Sequence, residues 1–146
     1  MSRPFQVLLI EDDDDDIDLT QEVFHESKIR AQLNITRDGT EAMAYLQTCV
    51  TSDQKSIPDL IFLDLNLPGM SGKDIISAIR RDQNLRHIPI SVLTTSQSPK
   101  DVQDCYRLGA NCFVSKPVGL QEFYQTIQQL ENFWFTVTKI PHNPAW

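Results

Sequence analysis

Glu11, Asp12, Asp64, Thr94 and Lys116 each stand where an apolar run gives way to polar residues. Glu11 and Asp12 follow Phe5–Ile10, Asp64 follows Leu60–Leu63, Thr94 closes Ile90–Leu93, and Lys116 follows Cys112–Ser115. Three carboxylates brought to one edge repel one another and raise at least one pKa. A hard divalent cation relieves that repulsion. Mg²⁺ takes oxygen ligands and is typically held by one or two carboxylates plus phosphate oxygens; Mn²⁺ is the alternative for such a donor set. A carboxylate such as Asp64 can then act as a nucleophile toward a phosphoryl group, with the metal offsetting developing charge. Lys116 supplies a second positive charge. The Thr94 hydroxyl can bond a phosphoryl oxygen only once phosphate is present, which couples chemistry to conformation. The backbone carbonyl of Asn66, two residues beyond Asp64, can complete the metal's ligand set.

These residues meet only if the runs before them are neighbouring strands. Phe5–Ile10 is short, branched and apolar, as a strand buried on both faces requires. Leu33 and Ile35 mark a second strand; Leu60–Leu63, Ile90–Leu93 and Cys112–Ser115 give three more. Between them lie helical segments. Asp13 or Asp14 caps the first, whose Ile17, Thr20 and Phe24 share a face. Asp38-Gly39-Thr40 opens the second, which runs to about Cys49, and residues 51–58 read as a loop. Ile75, Ile76 and Ile79 mark the third; the fourth spans about Pro99 to Leu108 and stops at Gly109. The last is expected from about Leu120 to Phe135. Alternating strands and helices predict an α/β fold, a parallel sheet with helices on both faces. In such sheets ligands bind beyond the carboxyl ends of the strands.

The 146 residues suit one compact domain and a short tail, and 40% hydrophobic content suits an ordinary core. No apolar run approaches the roughly 20 residues of a membrane span. Met-Ser-Arg-Pro leads into a strand-like run rather than a signal peptide's apolar region, so a cytoplasmic location is expected. A net charge of −7 argues against direct nucleic-acid binding. Cys49, Cys105 and Cys112 are odd in number and widely spaced, and read as reduced thiols.

Four stretches together resemble the receiver domains of two-component response regulators. They are Val7-Leu8-Leu9-Ile10-Glu11-Asp12, Leu63-Asp64-Leu65-Asn66-Leu67-Pro68-Gly69-Met70-Ser71-Gly72, Leu93-Thr94-Thr95 and Val114-Ser115-Lys116-Pro117. Each is weak alone; in this order and spacing they are specific, and they span about residues 5–135. The resemblance implies a doubly wound five-stranded parallel sheet of order 2-1-3-4-5 flanked by five helices. It implies that Asp64 accepts phosphate from a sensor histidine kinase. Glu11, Asp12, Asp64 and the Asn66 carbonyl would hold Mg²⁺, and Thr94 with Phe113 would form the switch pair. Pro117 falls at the family's cis-proline position. Thr95 is bulkier than the residue common after the switch threonine, and Phe113 lacks the hydroxyl of the tyrosine often found there. Asn66 and Ser96 sit where the family tunes attacking water, so both are expected to influence phosphate lifetime.

Other residues have plainer readings. Asp14, Asp15 and Asp16 read as first-turn charges complementing a helix dipole, and Asp13 as a cap or a supporting group. His25, His87 and His142 lack ligand spacing and read as surface residues. Gly69 and Gly72 lack P-loop spacing and read as turn and helix-entry residues. Leu120, Phe123, Tyr124, Ile127, Leu130 and Trp134 follow helical spacing and are expected in the core. Phe133, Phe135, Val137, Ile140 and Trp146 fall outside that stripe. They form either a folded-back tail or a partner surface.

The stretch Asn132-Phe133-Trp134-Phe135-Thr136-Val137-Thr138-Lys139-Ile140-Pro141 resembles the ending of stand-alone response regulators paired with cyanobacterial phytochromes. That resemblance implies a phytochrome-type kinase partner and a homodimer, with residues 136–146 a candidate part of its interface. An unknown downstream protein would receive the signal. A metal-dependent phosphatase with an aspartyl nucleophile is the enzymatic rival. It usually places a general acid two residues after the nucleophile, and Asn66 cannot serve. A receiver-like module that no longer takes phosphate would have lost an acidic residue or the lysine, and this chain keeps them. A phosphate sink or relay is equally compatible with the sequence.

Overall fold

The computed structural model describes residues 3–141. Five strands, β1 (Phe5–Ile10), β2 (Ala31–Thr36), β3 (Leu60–Leu63), β4 (Ile90–Thr94) and β5 (Cys112–Ser115), form one sheet. Every pairing is parallel and the order is β2-β1-β3-β4-β5, as expected. Five helices connect and follow them: α1 (Asp14–Glu26), α2 (Gly39–Ser52), α3 (Gly72–Arg81), α4 (Pro99–Leu108) and α5 (Leu120–Asn132).

Side chains of a strand alternate between faces, so a sheet covered twice needs two cores. Leu8, Ile10, Ile61, Leu63, Ile90 and Val92 project to one side and pack with Ala42, Leu46, Ile75, Ile76, Ile79 and Cys105. Val7, Leu9, Leu60, Phe62 and Leu93 project to the other, against Ile17, Val23, Phe24, Phe123, Ile127 and Trp134. Thus α2, α3 and α4 cover one face while α1 and α5 cover the other. Burying each large aliphatic side chain contributes roughly 1.5–3 kcal/mol, so continuous apolar strands are what this architecture demands.

Local chemistry starts most helices. The side chains of Asp13, Asp38, Ser71 and Ser98 each accept from the backbone N–H three residues on, capping α1, α2, α3 and α4. Gly109 ends α4 in the left-handed region, at φ 115°.

Four expectations need correction. Helix α2 continues to Ser52, and a short 3₁₀ turn covers Gln54–Ser56 within the expected loop. Helix α5 ends at Asn132; Phe133–Val137 is a π turn, whose wider ring buries Trp134 and leaves Phe133 exposed. Leu120 is 73% exposed rather than core, because as the first residue of α5 it has no preceding turn to lie over. The Lys116–Pro117 bond is trans, since no cis peptide occurs among the described residues; trans is the intrinsically favoured isomer even before proline.

Phe123, Ile127 and Trp134 are core as expected, while Tyr124 and Leu130 are half-buried against it. Beyond α5 the chain folds back: Phe135 packs on Phe5 with ring centroids 4.4 Å apart, and Ile140 reaches the same core. Val137 stays 65% exposed. The expectations for His142 and Trp146 lie outside the described residues. His25 and His87 are exposed, and the three cysteines are free thiols, with Cys49 and Cys105 buried. No helix among the described residues is long and apolar enough to cross a membrane.

Candidate functional site

Strand register brings the polar strand ends together. Ile10 pairs with Leu63, Leu63 with Val92, and Thr94 with Ser115. One residue past each pairing, the ladder hydrogen bonds continue: Asp64 N–H donates to Ile10 O at 3.1 Å, and Lys116 N–H to Thr94 O at 2.7 Å. The carboxyl edge of the sheet therefore carries Glu11, Asp64, Thr94 and Lys116 side by side.

All four are buried, while Asp12 on the rim is exposed. The Lys116 ammonium lies 2.5 Å from Glu11 Oε1, 2.7 Å from Asp16 Oδ2 and 3.2 Å from Asp64 Oδ2. Glu11 Oε2 accepts from the backbone N–H groups of Asp12 and Asp13, and Asp64 Oδ1 from that of Asn66. Behind the ammonium, the Phe123 ring centroid is 6.0 Å away. Gly72 opens α3 directly against this loop. A Cβ there would stand 2.7 Å from Leu65 Cα and 2.8 Å from Asp64 O, so only glycine fits without moving the Asp64 backbone.

Burial pushes the Glu11 carboxyl up to about 7; the Lys116 ammonium opposes that rise and the Asp64 carboxylate adds to it. For Lys116, burial alone would lower the pKa. The hydrogen bonds it donates to Asp16 and Glu11, and the charges of Glu11 and Asp64, outweigh burial and hold it above the ordinary lysine value. The site is one cation among converging acids.

Glu11, Asp12 and Asp64 each offer an oxygen, and the three oxygens lie within 4.8 Å of one another. An all-oxygen donor set of this size fits a hard divalent cation. Such an ion, when bound, would neutralise charge between carboxylate and phosphoryl oxygens.

Thr94 is fully buried, and its Oγ1 accepts from Ser96 N–H at 3.4 Å. Phe113 is half-buried against the core of α2, α3 and α4, while Thr95 and Asn66 are exposed. Ser96 spends its hydroxyl on Asp101 Oδ2 at 2.5 Å. Asp101 also meets the Lys73 ammonium at 2.7 Å, and Lys73 reaches Asp104 at 3.0 Å, tying α3 to α4.

Asp16 is the residue that reading the sequence missed. It is a first-turn residue of α1, as expected, and it also shares the buried lysine. The available signal was helical spacing: Asp16 is four residues before buried Thr20 and next to buried Ile17, at the edge of the inward stripe.

Comparison with known proteins agrees with the fold. The response regulator receiver domain family matches residues 7–128. Response regulator Rcp1 of Synechocystis sp. is 39% identical over 94% of this chain and 94% of its own length. The probable methanogenesis regulatory protein FilR2 of Methanothrix harundinacea is 31% identical over 94% of this chain and 88% of its own. Among solved structures, the phosphorylated cyanobacterial phytochrome response regulator RcpA superposes with a TM-score of 0.88 at 36% identity, covering 94% of this chain and 99% of RcpA. The Mn²⁺-bound form of Rcp1 also gives 0.88, at 39% identity and the same coverage. The chain is similar to these response regulators, and it belongs to the response regulator receiver domain family of two-component signalling.

Proposed function

We propose that this response regulator accepts a phosphoryl group on Asp64 from a sensor histidine kinase of the phytochrome type. Supporting this reading above all is the convergence of the Lys116 ammonium and the Glu11 and Asp12 carboxylates on Asp64. An Asp64 carboxylate oxygen bonds phosphorus as the donor's bond to phosphorus breaks, and the leaving group departs with that electron pair. Lys116 stabilises charge on the transferred group. Glu11, Asp12, Asp64 and the Asn66 carbonyl hold Mg²⁺, with Mn²⁺ able to replace it. The chain catalyses only its own phosphorylation and dephosphorylation and acts as a signalling protein rather than an enzyme.

Thr94 then turns its hydroxyl to the phosphoryl group and Phe113 moves inward, changing the surface offered to a downstream protein. Residues 5–135 make the receiver domain. Residues 136–146 contribute to a homodimer, a reading supported by exposed Phe133 and Val137 beside the folded-back tail. The phytochrome-type kinase is supported by the description of RcpA as a cyanobacterial phytochrome response regulator. The net charge of −7 disfavours nucleic acid as a partner, and a cytoplasmic location without a membrane partner completes this reading. The test is transfer from an autophosphorylated phytochrome-type kinase, followed in time, with light scattering before and after. Rapid transfer and a dimer mass are expected. Transfer no faster than from an unrelated histidine kinase contradicts the partner; an unchanged monomer mass contradicts the dimer.

A further inference from the structure

We infer that Asp16 is a positioning residue that keeps the Lys116 ammonium in place while the other two partners of that ammonium change theirs. The inference rests on the proposed phosphoryl-accepting role of Asp64. An ammonium has three N–H donors, and each of the three on Lys116 has a carboxylate: Glu11, Asp16 and Asp64. Glu11 and Asp64 also belong to the oxygen set that fits a divalent cation; Asp16 does not. A cation entering that set competes with Lys116 for two of its partners. When one Asp64 oxygen is esterified, the donor aimed at Oδ2 is left for a phosphoryl oxygen. Through both changes only Asp16 keeps its full charge for the lysine.

The geometry suits an anchor. The Lys116 side chain is 5% exposed, so its ammonium has almost no water to fall back on, whereas Asp16 at 25% exposure keeps part of its hydration. The first turn of α1 fixes Asp16 at both ends of its backbone unit. Its N–H donates to Asp13 Oδ1 at 3.0 Å, and its carbonyl accepts from Thr20 Oγ1 at 2.8 Å. Without the Asp16 carboxylate, the ammonium would shift its hold to Glu11 and Asp64, the same carboxylates a cation needs. It would also lose the tie that aims it at the phosphoryl position.

Asp16→Asn keeps the shape and removes the charge. Asp15→Asn makes the same charge change in the same turn at an exposed side chain, and Asp16→Glu keeps the carboxylate. Two quantities are read on the full chain: the Mn²⁺ dissociation constant by calorimetry, and the phosphorylation rate across a series of acetyl phosphate concentrations at saturating Mg²⁺. Groups that orient a site's ligands typically carry effects of about tenfold or more. Asp16→Asn is therefore expected to weaken Mn²⁺ about tenfold and to lower the maximal rate about tenfold, with donor half-saturation nearly unchanged. Asp16→Glu should recover most of both losses, and Asp15→Asn should change neither by more than about twofold. If Asp16→Asn and Asp15→Asn weaken Mn²⁺ equally, Asp16 is a surface charge and the inference fails. If the parent takes no phosphoryl group, the proposed function fails, while the Mn²⁺ comparison still decides the role of Asp16.

Discussion

Nζ of Lys116 stands 2.5 Å from Oε1 of Glu11, so the buried lysine grips a carboxylate that a divalent cation would also use. Burial nevertheless holds the Glu11 carboxyl up at about 7. A cation must displace that proton at lower pH, so apparent affinity should climb with pH, by at most about tenfold per unit, and level off above about 7. Calorimetric titration with Mn²⁺ between about pH 6 and pH 8 checks this, and a flat profile contradicts it. The same shift fixes the sign for cation-free stability. The contribution of Glu11 is fully present below its ordinary value of 4.5 and is lost as pH rises through about 7.

Thr94→Ala separates accepting phosphate from responding to it. The hydroxyl is buried and its loss leaves Glu11, Asp12, Asp64 and Lys116 in place. Phosphorylation should continue, slowed by no more than about tenfold, the scale of one hydrogen bond. The phosphorylation-induced change at Phe113, followed with fluorine-labelled phenylalanine, should largely vanish. A full change at Phe113 in the variant would show that Thr94 does not carry the switch.

Asn66 and Ser96 should set how long the phosphoryl group stays. Asn66 is exposed beside Asp64, and Ser96 lies two residues past Thr94 with its hydroxyl committed to Asp101. Asn66→Ala and Ser96→Ala are expected to change the decay rate of the phosphorylated protein by a few-fold, about 1 kcal/mol of barrier or less. Lifetimes equal to the parent's in both variants would remove these residues from that role.

Arg80 should matter to stability and not to phosphorylation. Its guanidinium donates to the carbonyls of Gly109, Arg86 and Ile88 and to Asn111 Oδ1, closing the loops on either side of β4. Arg80→Ala leaves these acceptors short of donors and should cost about 2 kcal/mol in urea unfolding. Arg80→Lys should recover less than half, because one ammonium cannot reproduce the planar fork. A variant as stable as the parent would mean that water replaces the arginine at no cost.

What could be read from sequence follows from how locally each feature is encoded. Asp64 and Lys116 were legible because an apolar strand that stops at a charge marks both the strand end and the residue displayed there. The strand order came through resemblance, since no local pattern states which strands pair. The part played by Asp16 depends on α1 packing beside a lysine 100 residues away; helical spacing from Ile17 and Thr20 marks which of the five consecutive aspartates lies nearest the inward face, but not what it meets there. The end of α5 was misplaced because Trp134 continues the helical stripe begun by Phe123 and Ile127, and that spacing does not mark the change to a π turn at Phe133. Leu120 looked like core for the same reason: spacing reports which face a residue shares, not whether that face has begun to be covered.

The most direct measurement is intact mass after incubation with Mg²⁺ and a small phosphodonor, for the parent and for Asp64→Asn side by side. The parent should gain one phosphoryl group, and the variant, whose amide is a poor nucleophile at the same position, should gain none. No adduct on the parent, or an equal adduct on Asp64→Asn, would contradict the assignment of Asp64 as the phosphoryl acceptor.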